Sequence, residues 1–278
     1  MEKEKNIKNF DLSVLPLKTN KDGMELKIPV HENLPNIKDG AVVLLIARRG
    51  EGKSTLISNL MLNPNMLHKE NFDYVFIISN TINQDRTAQH LKKEYEATCY
   101  DRYDDAIIND IISFQKSFSN EDRARTAIIL DYCLGSVPKN SVINFLCSRS
   151  RHILQGGLLM MASQTLKSIS PVARVNATQV ILMRTDNEAE KMKFYEEWGC
   201  CYGSRDDFFR AFNYCTAERY MFCYLNLDMG RPQMFKNFTE NITTRFFPNL
   251  NENINQETDL NNSSTENKTE DNSIEETE

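Results

Sequence analysis

The sequence predicts an α/β domain with a mostly parallel central sheet and helices on both faces. Two observations carry this reading: five apolar runs of strand length, and longer amphipathic stretches between them. Parallel strands are buried on both faces and so read as continuous apolar runs, and each crossover between them needs a helix-length segment. A chain of 278 residues, 40% hydrophobic, can bury one such core.

Residues 1–40 are polar with scattered Pro and Gly and read as an N-terminal arm with a short hairpin. The first strand is "AVVLLIA" (41–47), followed by a helix over 53–62. "YVFIIS" (74–79) is the second strand, with a helix over 103–118 after it. "AIILD" (127–131) is the third and leads to a helix over 141–151. "GLLMMAS" (157–163) and "TQVILMR" (178–184) are the fourth and fifth, and a helix over 187–198 follows. A helix near 206–215 and strands near 219–227 and 233–236 complete a domain over 41–236.

From residue 237 the composition changes. Residues 237–278 hold ten acids against Arg245 and Lys268, with many Asn, Thr and Ser. Such a segment buries too little apolar surface to offset its ordering entropy and reads as a disordered acidic tail. Without it the body has 31 Lys and Arg against 29 Asp and Glu, so the overall charge of −6 does not argue against a polyanionic partner. The tail reads either as a solvated end or as a DNA mimic that covers a basic surface, and truncation after Lys236 separates the two. Seven cysteines without CxxC pairing read as reduced thiols in an intracellular compartment, and a zinc site among Cys200, Cys201, Cys215 and Cys223 has poor ligand spacing. No apolar run approaches the ~20 residues of a membrane helix.

Between the first strand and its helix stands "ARRGEGKST", Ala47, Arg48, Arg49, Gly50, Glu51, Gly52, Lys53, Ser54 and Thr55. It matches the phosphate loop GxxxxGK[ST] except that Ala47 replaces the first Gly. The two glycines let backbone amides approach an anion, and Lys53 supplies charge for the β and γ phosphates. Ser54 supplies a hydroxyl for Mg2+, and the helix N-terminus adds its partial positive charge. Ala47 costs one methyl group, provided its φ stays negative. A strand before the loop and a helix after it make this a nucleotide site.

Such a site needs a carboxylate at a strand tip to hold Mg2+, and "AIILD" ends on Asp131. A whole strand separates the loop from Asp131, and another follows and ends at Gln164. That order suits P-loop NTPases whose sheet runs 5-1-4-3-2, with Gln164 as a sensor that orients the attacking water. The position after Asp131 is Tyr132, where motor ATPases of this group carry an acid. A phenol with pKa near ~10 is a poor base at neutral pH. Either Gln164 and another acid orient the water, with Glu51 one option, or hydrolysis is slow.

Residues 132–185 contain no Asp or Glu but hold Lys139, Arg149, Arg151, Lys167, Arg174 and Arg184. This composition reads as a surface that meets polyanions, either DNA or a neighbouring subunit's triphosphate, or else as a solvated basic face. Arg151 and Arg174 are the arginine-finger candidates.

Taken in order, "IARRGEGKSTLI", "AIILDYCL", "SRSRHI" and "LLMMASQTLKSISPVARVNATQVILMR" resemble the poxvirus-type genome-packaging ATPases of the FtsK/HerA superfamily. The likeness spans roughly residues 38 to 200. It rests most on the Arg-His before the fourth strand and the run Gln164, Pro171, Arg174, Asn176 after it. The resemblance implies an ATP-driven motor that uses Mg2+ and moves double-stranded DNA into a preformed capsid. It also implies a homo-oligomeric ring, pentameric or hexameric, docked on a capsid or portal-vertex protein. The expected location is host cytoplasm or viral factory, with virion association as an option. Lys53, Ser54, Asp131, Gln164 and an arginine from the next subunit would carry hydrolysis. The alternative is a nucleotide-gated DNA- or capsid-binding oligomer with little turnover. A small-molecule kinase fits less well, because no Arg-rich lid segment is present.

Overall fold

Every residue of β1 (Ala41–Ile46) is buried, and its two faces alternate as a pleated strand requires. Val42, Leu44 and Ile46 join one core, while Ala41, Val43 and Leu45, continued by Ala47, join the other. The computed structural model describes residues 25–119, 122–228, 232–248 and 250, and in it this double burial produces three layers. β2 (Tyr74–Ser79), β4 (Thr126–Asp131), β5 (Leu158–Ser163) and β6 (Gln179–Met183) run parallel to β1. The sheet order β2-β4-β5-β1-β6 is the expected 5-1-4-3-2 read from its other edge. β3 (Thr98–Tyr100) extends the β2 edge in parallel. β7 (Phe222–Asn226), β8 (Gln233–Lys236) and β9 (Glu240–Asn241) add antiparallel strands beyond β6.

Helices cover both faces. α1 (Lys53–Leu62) and α2 (Arg86–Tyr95) lie on one, placing Ile57, Leu60, Met61, Ala88 and Leu91 in its core. α3 (Asp105–Lys116), α4 (Val142–Ser148), α7 (Glu188–Glu197) and α8 (Arg205–Cys215) cover the other. α8 shows how the sequence sets such a face. The Ser204 hydroxyl accepts from the Asp207 amide and starts the helix, and Phe208, Ala211, Phe212 and Cys215 recur at i, i+3, i+4, i+7. Each buried Phe contributes about 1.5–3 kcal/mol.

Several expectations need correction. The helix over 141–151 is two: Arg149 leaves helical geometry, with φ −125 and ψ 20, and α5 (Ser150–Ile153) begins there. α2, β3 and the short α6 (Pro171–Val175) had no counterpart in the sequence reading. β3 is three residues long and half exposed, and α2 buries Ala88 and Leu91 in an otherwise polar run, so neither stands out as an apolar segment. Residues 25–40 form no hairpin. They carry a 3-10 turn at Ile37–Asp39, with Leu34 and Ile37 buried, and residues 1–24 of the arm lie outside the described residues. The folded body also runs past 236. α9 (Thr243–Phe246) follows β9, and Phe238, Ile242 and Phe247 are buried. Truncation after Lys236 would therefore remove core residues, and the remaining tail, 251–278, lies outside the described residues. Among the described residues no helix is long and apolar enough to cross a membrane.

Candidate functional site

The loop after β1 turns on two residues with left-handed backbones, Gly50 (φ 86) and Gly52 (φ 87), where a side chain would be strained. Gly52 is the N-cap of α1 and offers no side-chain cap, so the first amides of this ten-residue helix face the cleft with no capping side chain. Ala47 explains its own presence. Its amide donates to the Ser163 carbonyl (2.9 Å), its φ is not positive, and it is 1% exposed in the core. It continues the strand rather than shaping the turn.

A cleft of about 620 Å3 lies above the loop. Arg48, Gly50, Gly52, Lys53, Ser54 and Thr55 line it, joined by Asp85, Thr87, Tyr132 and Tyr220 from other elements. Ala47, Arg49 and Glu51 do not line it.

Lys53 is 4% exposed and Asp131 7%, and the lysine Nζ donates to Asp131 Oδ1. Burial lowers the pKa of the Lys53 amine and raises that of the Asp131 carboxyl, each against the pull of the other. Residue registers place the carboxylate: Asp131 pairs with Ser79 of β2 and with Ala162 of β5. Tyr132 has φ 56, an unusual backbone for a bulky residue, and its ring lies under Lys53 Nζ at 3.5 Å from the centroid. Burial, then Asp131 and Asp85, push the Tyr132 phenol up, further from use as a base. In place of an acid, this position supplies an aromatic face to the lysine.

Ser54 and Asp131 also border one small recess, with Ser79 and Asp85. A hydroxyl and carboxylates are hard oxygen donors that suit Mg2+, so the residues present fit that ion.

The remaining candidates do not line the cleft. Gln164 is exposed immediately past β5, two residues beyond the level of Asp131. Arg151 sits on α5, before β5, at the opposite end of the sheet, where its guanidinium donates to Asp228 (3.1 Å). Arg174 on α6 pairs with Glu197 at the end of α7. Arg184 pairs with Asp186. Thus two of the six cations in the acid-free stretch meet acids that the fold returns to them, Glu197 and Asp228, and Arg184 meets Asp186 two residues along the chain.

Sequence reasoning missed Asp85, Thr87 and Tyr220. The signal for Asp85 was an Asp preceding a polar helix, a cap pattern. Tyr220 has φ 70, is 53% exposed and packs its ring on Gly52 of the loop, contacts that no local pattern predicts.

No family model matches the chain, and no curated protein does. Among solved structures the chain is similar to the genome packaging NTPase B204 from Sulfolobus turreted icosahedral virus 2. In complex with AMP that protein aligns with TM-score 0.54 at 16% identity, over 72% of this chain and 98% of that one. Its complex with sulfate gives 0.52 at 18% identity, over 72% and 97%. B204 described as the DNA-packaging ATPase from Sulfolobus Turreted Icosahedral Virus gives 0.54 at 16%, over 72% and 98%. The likeness shows a shared fold, that of a P-loop NTPase with a mostly parallel sheet and added antiparallel strands.

Proposed function

We propose that this chain is an ATP-hydrolysing motor that moves double-stranded DNA into a preformed capsid. The observation that carries the reading is the convergence of Lys53, Ser54 and Asp131 on a helix N-terminus that no side chain caps. This occurs in a fold shared with a viral genome packaging NTPase. The loop amides and Lys53 hold the β and γ phosphates. A triphosphate offers Lys53 a stronger anion than Asp131, so ATP binding breaks the lysine–carboxylate pair and frees Asp131. Ser54 and Asp131 would hold Mg2+, which would supply positive charge against the phosphate oxygens.

In a homo-oligomeric ring, Gln164 would face the attacking water from the tip of β5, and an arginine of a neighbouring subunit would reach the γ-phosphate. Arg151 is the more available finger, because its side chain is 68% exposed while Arg174 is 23% exposed and paired with Glu197. DNA and a capsid or portal-vertex protein are the partners of this reading.

The test is steady-state ATP hydrolysis with and without linear double-stranded DNA, beside Lys53→Ala and Gln164→Ala. The motor gives turnover that DNA stimulates and that both variants abolish. Equal rates with and without DNA would remove the motor. Tyr132 favours a second reading, in which ATP closes an oligomer on DNA or capsid and turnover is incidental. Turnover well above about one per minute excludes that reading.

A further inference from the structure

Position 132 is not an acid, yet a second carboxylate reaches the site from a different strand. Asp85 follows β2, the strand beside β4, and the register Ser79↔Asp131 brings the exit of β2 level with the Asp131 carboxylate. Asp85 lines the phosphate cleft together with Lys53, Ser54 and Tyr132, and it borders the recess shared by Ser54 and Asp131. Its charge acts on Lys53, Asp131 and Tyr132 alike. Asp85 also has a local role: Oδ1 accepts from the Thr87 amide at 2.8 Å and caps α2. A cap needs an oxygen acceptor rather than a charge, since Asn caps as well as Asp.

We propose that Asp85 is the carboxylate that orients the water attacking the γ-phosphorus, in the role that residue 132 does not fill. This rests on the ATPase reading above. The water oxygen bonds to the γ-phosphorus as the bond from that phosphorus to the bridging oxygen breaks, and the electron pair leaves with ADP. One water proton stays on the phosphate product, and the other is released to solvent past Asp85. Asp85 accepts a hydrogen bond from the water and fixes its line of attack. The acid has moved one strand along the sheet, and the residue it vacates packs its ring on the lysine.

Asp85→Asn separates the two roles, because it keeps the cap and removes the charge. The full-length protein is assayed for ATP turnover, for affinity toward a non-hydrolysable ATP analogue with Mg2+, and for thermal midpoint. The expected result is a fall in kcat of about 100-fold or more, with analogue affinity and midpoint close to wild type. Asp85→Ala should lose the same activity and in addition lower the midpoint. Unchanged kcat in Asp85→Asn, with loss confined to Asp85→Ala, would reduce Asp85 to a helix cap and overturn the proposal. Analogue affinity falling in parallel with kcat in Asp85→Asn would also overturn it, placing Asp85 in nucleotide binding. If the wild type binds the analogue but does not hydrolyse ATP, the ATPase reading itself fails, and Asp85 has no water to orient.

Discussion

At the loop end of the sheet a Cβ on Gly50 would meet nothing within 4 Å, whereas at the other end a Cβ on Gly157 would stand 2.3 Å from the Thr126 carbonyl oxygen. Charge divides the same way. At the loop end Lys53 and Asp85 line a cleft and Asp131 borders the recess beside it, while at the far end Arg151 is paired with Asp228 and Arg174 with Glu197. One end keeps open space beside its charges, and the other fills that space with chain. The difference teaches that neither a glycine nor an arginine declares its role by type. The surroundings assign it.

The largest expected effect tests the open end. Lys53→Ala should lower ATP turnover by about 10²–10³-fold, as removal of one donor from a site of developing charge does. It should also leave Asp131 buried without its partner. The folded carboxyl is already raised above its unfolded value, so its contribution to stability is present at acid pH and lost as pH rises through the folded pKa. Thermal midpoints of Lys53→Ala should therefore match wild type most closely near pH 4 and fall behind it toward pH 8.

Gly157→Ala tests the packed end. The backbone oxygen it meets cannot swing aside, so the change should cost about 3 kcal/mol or more. Gly50→Ala meets no atoms and bears only its left-handed φ, about 1–2 kcal/mol. Denaturant midpoints of the two variants measure the contrast, and equal midpoints would break it.

A smaller difference separates the arginines. Arg174→Ala leaves Glu197 half-buried without its partner and should cost about 1–2 kcal/mol. Arg151→Ala, at an exposed pair, should cost less than about 1 kcal/mol. Urea titration of both variants checks the order.

A comparably small effect is expected at Asp73, between the entry segment and the β2 edge. Burial raises its carboxyl, but hydrogen bonds from Lys27 and the Arg125 amide outweigh that and hold it below its usual range. A depressed folded pKa stabilises above the unfolded value, near 3.8, and that stability is lost as pH falls through the folded value. Asp73→Asn should cost about 0.5–1 kcal/mol at pH 7, allowing for solvent screening, and converge with wild type below about pH 3.

The core strands, α1, the loop and Asp131 were legible in the sequence, because each rests on local chemistry. A buried strand needs an apolar run, the turn needs Gly50 and Gly52, and Lys53 opens the helix that follows the turn. The strand order was legible too, because the chain places a full strand before Asp131 and another after it. The pairing within the acid-free stretch was only partly legible, because sequence distance is not spatial distance. Glu197 and Asp228 lie outside it in the chain and against Arg174 and Arg151 in the fold. Asp85 and Tyr220 could not be read as site residues for the same reason. Their places depend on where β2 and β7 fall in the sheet. Local patterns encode how a segment folds and which phosphate chemistry it can offer. Long-range packing decides which charges distant in sequence meet, Lys53 with Asp131 and Arg151 with Asp228, because that is where their burial and pairing are settled.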